Sequence, residues 1–258
     1  MKSQYLQLTF RIIVLMLTIT FGACNQKDKQ VKKPNILWVV AEDLSPFMGA
    51  YGDSINTGHT PVIDKLAAEG VLFKRAYATA PVCSAARSAL ITGVYQTTTG
   101  THNHRSSRFT NDSIVPKELQ IHLPDGMKTI PELMKKAGYF TFNSGKDDYN
   151  FDYDRRDLYN QDYYMHPLYG KSGVRLDLAT LKDKQPFFGQ IQMYGGKEIF
   201  SSTFKDKVKT PVDRSKIELP PYLPNHPAIV EEYANHLDAI QITDEKVGDI
   251  ITKLRDNN

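Results

Sequence analysis

Two acidic residues, Glu42 and Asp43, stand directly behind the apolar run Asn35-Ile36-Leu37-Trp38-Val39-Val40-Ala41. Carboxylates at the carboxyl end of a strand in an open α/β sheet are well placed for a metal ion. Hard oxygen ligands of this kind imply calcium or magnesium. A solvated loop after the strand is the plainer alternative. A second candidate is Cys83, in Ala80-Pro81-Val82-Cys83-Ser84-Ala85-Ala86-Arg87. A lone cysteine is either a small buried hydrophobe or a reactive group, and its surroundings have to decide. Small helix-compatible residues run from Ser84 to Thr92 and Gly93 supplies a stop, so Cys83 falls at a helix N-terminus with Arg87 one turn along. Gly145-Lys146-Asp147-Asp148 follows a second strand-like segment, and Gly195-Gly196-Lys197-Glu198 follows a third. His102, His104 and Arg105 suit either a plain loop or substrate recognition, and the spacing of His102 and His104 favours no shared metal face.

The elements that would position these residues follow from periodicity. The continuous apolar run before Glu42 predicts a parallel strand buried on both faces. Thr60-Pro61 reads as an N-cap with proline at the first helical position, opening a helix on Ile63, Leu66 and Ala67 that ends at Gly70. Val71-Leu72-Phe73 then predicts a short strand. From Thr97 to Gly126 there is little periodicity, as expected of a surface excursion near a site. Thr129-Ile130-Pro131-Glu132 has capping-box spacing and launches a helix that ends before Gly138. Tyr139 to Ser144 alternates as a strand. The stretch Tyr149 to Tyr169, rich in Tyr, Asp and Asn, suits a loop or small subdomain around a polar pocket. Phe187 to Met193 predicts another buried strand, the proline-rich stretch Pro211 to Pro227 crosses the surface, and Glu231 to Leu254 has helical periodicity.

With 258 residues there is enough chain for one large α/β domain, or a core with a small subdomain. Hydrophobic residues make up 41% and charged residues 24%, an ordinary globular composition without repeats. A formal charge of +3, with basic and acidic residues well mixed, is too small to argue for nucleic acid as a partner, none being expected, and allows a modest pull on anionic substrates. At the N-terminus, Lys2 and Arg11 precede an apolar run from Ile12 to Phe21, then Gly22, Ala23 and Cys24. Residues 1–23 read as a secretory signal peptide, too short to span a bilayer comfortably. Cleavage before Cys24 would expose a thiol for diacylglyceryl attachment, as in a bacterial lipoprotein, although Phe21 stands where that motif usually has Leu. An ordinary cleaved signal peptide is the alternative. Residues 24–33 are a polar tether. These features predict an exported lipoprotein, periplasmic or anchored in the outer membrane through Cys24, with Cys83 left as the unpaired thiol.

In order along the chain, Pro34-Asn35-Ile36, Thr60-Pro61 to Gly70-Val71, Cys83-Ser84-Ala85-Ala86-Arg87 through Gly93, and Lys128-Thr129-Ile130 through Lys146 resemble the type I, formylglycine-dependent sulfatases of the alkaline-phosphatase-like superfamily. The family motif is Cys-X-Pro-X-Arg, or Cys-X-Ala-X-Arg in some bacterial members, followed by Leu-Thr-Gly or a variant, and Ala85 and Ile91 fit the variant form. The resemblance implies an α/β, three-layer sandwich with a mostly parallel central sheet, with residues 34–258 forming the N-terminal catalytic portion. It further implies that a maturation enzyme oxidises Cys83 to formylglycine, whose hydrated aldehyde attacks sulfur. Cys83, Arg87, Lys146 and Lys197 become catalytic candidates. Glu42, Asp43 and Cys83 become ligands of a divalent cation, calcium foremost and magnesium as alternative. Lys146, Asp148 and His104 become substrate contacts. Three positions depart from the pattern: Glu42 stands where Asp is usual, and Asp148 and Lys197 stand where many members carry His. Lys197 could protonate the leaving alcohol if its pKa were lowered, or simply bind sulfate. Asp148 and Lys197 also read as ordinary polar surface residues.

The expected reaction is removal of sulfate from a sulfated carbohydrate. Phosphonate or phosphate ester hydrolysis on the same fold, and a non-catalytic glycan-binding lipoprotein, remain as other readings. In the family, a strand ending in Asp-His or Asp-Asn after a helix like that of Glu231 to Leu254 completes the metal site. The sequence shows none before Asn258, so the chain is expected to be C-terminally truncated and to have little or no sulfatase activity alone.

Overall fold

Among the described residues, five strands form one sheet: β1 (Ile36–Ala41), β2 (Phe140–Ser144), β3 (Gln161–His166), β4 (Gly170–Gly173) and β5 (Phe187–Met193), ordered β1-β5-β2-β3-β4. This computed structural model describes residues 32–104, 118, 120–166, 170–173 and 176–256. The signal peptide, Cys24, the tether as far as Val31, and Arg105 lie outside the described residues. β1, β5, β2 and β3 run parallel and β4 returns antiparallel to β3. The register places Leu37, Val39, Phe187, Ile191, Phe140 and Phe142 on one face and Trp38, Phe188, Gln190, Gln192, Thr141 and Asn143 on the other, as period-two alternation requires.

Helices cover both faces, giving the three layers that the family resemblance implies. They are α1 (Pro61–Glu69), α2 (Cys83–Thr92), α3 (Ile130–Lys136), α4 (Arg155–Leu158), α5 (Phe204–Lys207) and α6 (Pro227–Arg255). Phe142 and Phe187 pack with Leu176, Leu181 and Leu254 of α6. On the opposite face Trp38 packs with Ile91 of α2, Tyr149, Phe151, Leu158 and Tyr159. Along α6, Ala234, Leu237 and Ile240 bury against Met48 and Val212. Asp244, also on α6, accepts hydrogen bonds from the backbone N–H groups of Val62 and Ile63, at 3.2 and 2.7 Å, and so caps α1 from across the fold.

Three local expectations change. Val71-Leu72-Phe73 forms no strand: Val71 is 79% and Phe73 69% exposed, and the segment joins no sheet neighbour. Apolar content alone carries no pairing partner. β1 is not buried on both faces. It is half-buried, with Val39 exposed, because β5 is its only partner among the described residues. Of the loop or small subdomain expected from Tyr149 to Tyr169, the described part holds α4 and β3, with β3 on the β2 ladder, which narrows the expectation to ordered structure.

Candidate active site

The carboxyl ends of β1, β2 and β5 adjoin, and the candidate residues follow each of them. Glu42 continues the ladder, its N–H donating to the Met193 carbonyl at 3.1 Å, and its own carbonyl accepts from Gly196 N–H at 2.9 Å. Asp43 adopts a left-handed φ of 51°, which turns the chain out of the strand. The turn after β5 must pass close behind it: a Cβ on Gly196 would lie 2.1 Å from the Asp43 carbonyl oxygen. Gly145 has a φ of 115° and would set a Cβ 2.8 Å from that of Gln192, so glycine there brings Lys146 over the end of β5.

Three cations from three elements converge on Glu42. Lys146 Nζ donates to Glu42 Oε1; Lys197 Nζ lies 3.2 Å and Arg87 Nη2 3.8 Å from the same oxygen. Lys197 Nζ also lies 3.3 Å from Asp43 Oδ2. Lys146 Nζ and Arg87 Nε reach Asp148 at 3.4 and 3.6 Å. Burial works to raise the Glu42 pKa, but Lys146, Arg87 and Lys197 outweigh it and hold the carboxyl below its ordinary value. For Lys197, desolvation pulls downward while Glu42 and Asp43 prevail and raise it. Asp148 and Lys197 are thus members of the cluster and not ordinary surface residues. Three carboxylates face three fixed cations, so their formal charges cancel.

Cys83 opens α2, whose N-cap, Val82, is extended and provides no side-chain cap. Its Sγ lies 3.4 Å from His104 Nε2 and 3.9 Å from Asp148 Oδ2. Asn150 holds the histidine loop: its side-chain amide donates to the carbonyls of Thr101 and Asn103, while its backbone N–H donates to Ser88 Oγ at 2.7 Å. His102 is exposed nearby. A groove of about 730 Å³ runs along Cys83, Arg87 and the end of β1, bordered by Tyr77 and Tyr95.

Several supporting residues escaped the sequence reading. Gln192 accepts from Arg87 Nη1 at 2.5 Å and donates to Gln190 and Asn143 at 3.2 and 3.3 Å. Gln190 donates to the Tyr159 hydroxyl at 2.9 Å, which pairs with that of Tyr149. A buried polar row therefore runs across the sheet to Arg87. Its signal was the pair of glutamines two apart in an apolar strand, which marks one polar face. Arg155 grips Asp147 with two hydrogen bonds of 2.6 and 2.9 Å, fixing the turn that carries Lys146 and Asp148. His236 lies behind the Gly196 turn; burial lowers its pKa against an opposing pull from Asp43.

Glu42 and Asp43 close on one cationic nitrogen, that of Lys197, through two hard oxygens. In donor chemistry the pair fits calcium or magnesium. Among the described residues no group of three or more His, Cys, Asp or Glu forms a metal cluster, and Cys83 meets His104 and Asp148 rather than this pair.

A family model described as sulfatase matches residues 34–258. An ulvan-active sulfatase of Formosa agariphila is 27% identical over 282 residues, which cover 91% of this chain and 45% of the relative. Human N-acetylgalactosamine-6-sulfatase is 38% identical over 117 residues, covering 44% of this chain and 21% of the relative. The solved structure of yidJ from Bacteroides fragilis shares the fold at a TM-score of 0.64 and 21% identity, covering 91% of this chain and 61% of that one. The chain thus spans less than half the length of either curated relative.

Proposed function

The chain belongs to the sulfatase family, and from that premise we propose that it serves the hydrolysis of sulfate esters on carbohydrates, with residue 83 as nucleophile. The observation that carries this reading is Cys83 at the N-terminus of α2, on the groove that Arg87 also lines, with its Sγ beside His104 and Asp148. Formylglycine made from Cys83 by a maturation enzyme would, as its hydrate, supply a diol oxygen to attack sulfur while the bond from sulfur to the carbohydrate oxygen breaks and the alcohol leaves; loss of the proton from the second diol oxygen would then re-form the aldehyde and expel sulfate. A calcium or magnesium ion on Glu42 and Asp43 would polarise the ester and make the attacking oxygen more acidic.

The remaining work falls to side chains already in place. The α2 N-terminus favours an anion beside residue 83. Arg87, steadied by Gln192 and Asp148, orients its fork toward the groove that the ester enters. Lys146 adds a buried positive charge between Glu42 and Asp148. His104 Nε2, 3.4 Å from Cys83 Sγ, is the group placed to take a proton from an oxygen on residue 83 or return it. It comes from a different loop than the position held by Asp148, where many relatives carry histidine. Between the two roles open to Lys197, its raised pKa favours charge binding over proton donation.

Tyr77 and Tyr95, 84% and 67% exposed on the groove rim, offer faces for a sugar ring. The relatives' names, ulvan-active sulfatase and N-acetylgalactosamine-6-sulfatase, support a carbohydrate substrate. The signal peptide and Cys24 support an exported, lipid-anchored protein. The test is sulfate release from ulvan and from N-acetylgalactosamine 6-sulfate by the protein isolated from its source cells. Release by wild type and none by Cys83→Ala supports the reading; equal release by both overturns it.

A further inference from the structure

We infer that Lys197 is a tethered competitor for the divalent-cation site, its ammonium bridging Glu42 and Asp43 until a metal ion displaces it. The inference rests on the proposed cation-binding role of those two carboxylates. Lys197 Nζ lies 3.2 Å from Glu42 Oε1 and 3.3 Å from Asp43 Oδ2, the two oxygens that a shared ion would take. Calcium holds carboxylate oxygens at roughly 2.3–2.6 Å. An ion on both oxygens would therefore stand against the ammonium, and two positive centres at that range repel strongly in a partly buried site. Lys146 and Arg87 cannot take over this bridge. Lys146 pairs with Glu42 and Asp148, Arg87 reaches Glu42 at 3.8 Å, and neither ion pair includes Asp43. Lys197 alone among these cations spans the pair, and its place on the short turn after β5 keeps it there. The site therefore begins charge-balanced, and uptake of a dication must include expulsion of this side chain.

Calcium chloride titrated calorimetrically into the full chain tests this. Lys197→Met keeps the apolar stem and removes the charge, and should bind calcium about tenfold more tightly than wild type, a change of about 1.4 kcal/mol. Lys197→Arg, which restores a cation, should bind no more tightly than wild type. Equal or weaker binding by Lys197→Met overturns the inference and leaves the ligand pair standing. No calcium uptake by any of the three overturns the ligand reading and the inference together. A measurement on wild type alone needs no variant to fold: acetylation of Lys197, read by peptide mass, should rise when calcium is added. Unchanged labelling under saturating calcium overturns the inference.

Discussion

Arg87 is the residue on which the cluster turns. It touches Glu42, Asp148 and Gln192, so its guanidinium has one orientation defined by three elements. Removing the Gln192 acceptor by Gln192→Leu should leave the fold intact by circular dichroism and lower kcat/KM about tenfold, since a hydrogen bond to a charged group contributes about 1.5–3 kcal/mol. His104→Ala should lower kcat with KM little changed, because the imidazole faces residue 83. A KM effect without a kcat effect would assign His104 to substrate binding instead. At this scale Cys83, Arg87 and Lys146 were legible from motif and order. The pairing of Lys197 with both carboxylates was not, because it joins the ends of two strands far apart in sequence. The glutamine row was legible in principle, through its alternation within β5.

Elements were read best where local chemistry decides them. β5 spans Phe187–Met193, as its apolar run predicts, and α3 carries the full capping box between Thr129 and Glu132. Thr129→Ala should cost about 1 kcal/mol in chemical denaturation. Glu132 is desolvated, which raises its pKa, but its hydrogen bonds to Thr129 and Lys128 dominate and hold it below the ordinary value of 4.5. A depressed carboxyl pKa contributes stability above the unfolded value and loses it as pH falls through the folded value. Glu132→Gln should therefore be less stable than wild type at neutral pH, with the two converging as pH drops below 4.5. A gap that persists in acid would contradict the capping account. Partners in space decided the remaining elements: β3 needs β2, and Val71 to Phe73 has an apolar sequence but pairs with no strand among the described residues. α1 is capped by Asp244 from α6, a contact that no local pattern announces.

For the whole molecule, chain length and the apolar strand runs pointed to an α/β domain, the family resemblance implied the mostly parallel sheet, and the candidate residues follow strand ends, where such sheets bind ligands. Export is a separate proposal about the same molecule: Cys24→Ala should move the protein from the membrane fraction to the soluble exported fraction, with loss of incorporated fatty acid. Unchanged fractionation would remove the anchor while leaving the catalytic reading intact. That reading stands on Cys83. Mass spectrometry of the peptide containing Cys83, from protein made in cells with an active formylglycine maturation enzyme, tests it most directly. The account predicts an aldehyde at residue 83, and an unmodified thiol throughout the preparation would contradict it.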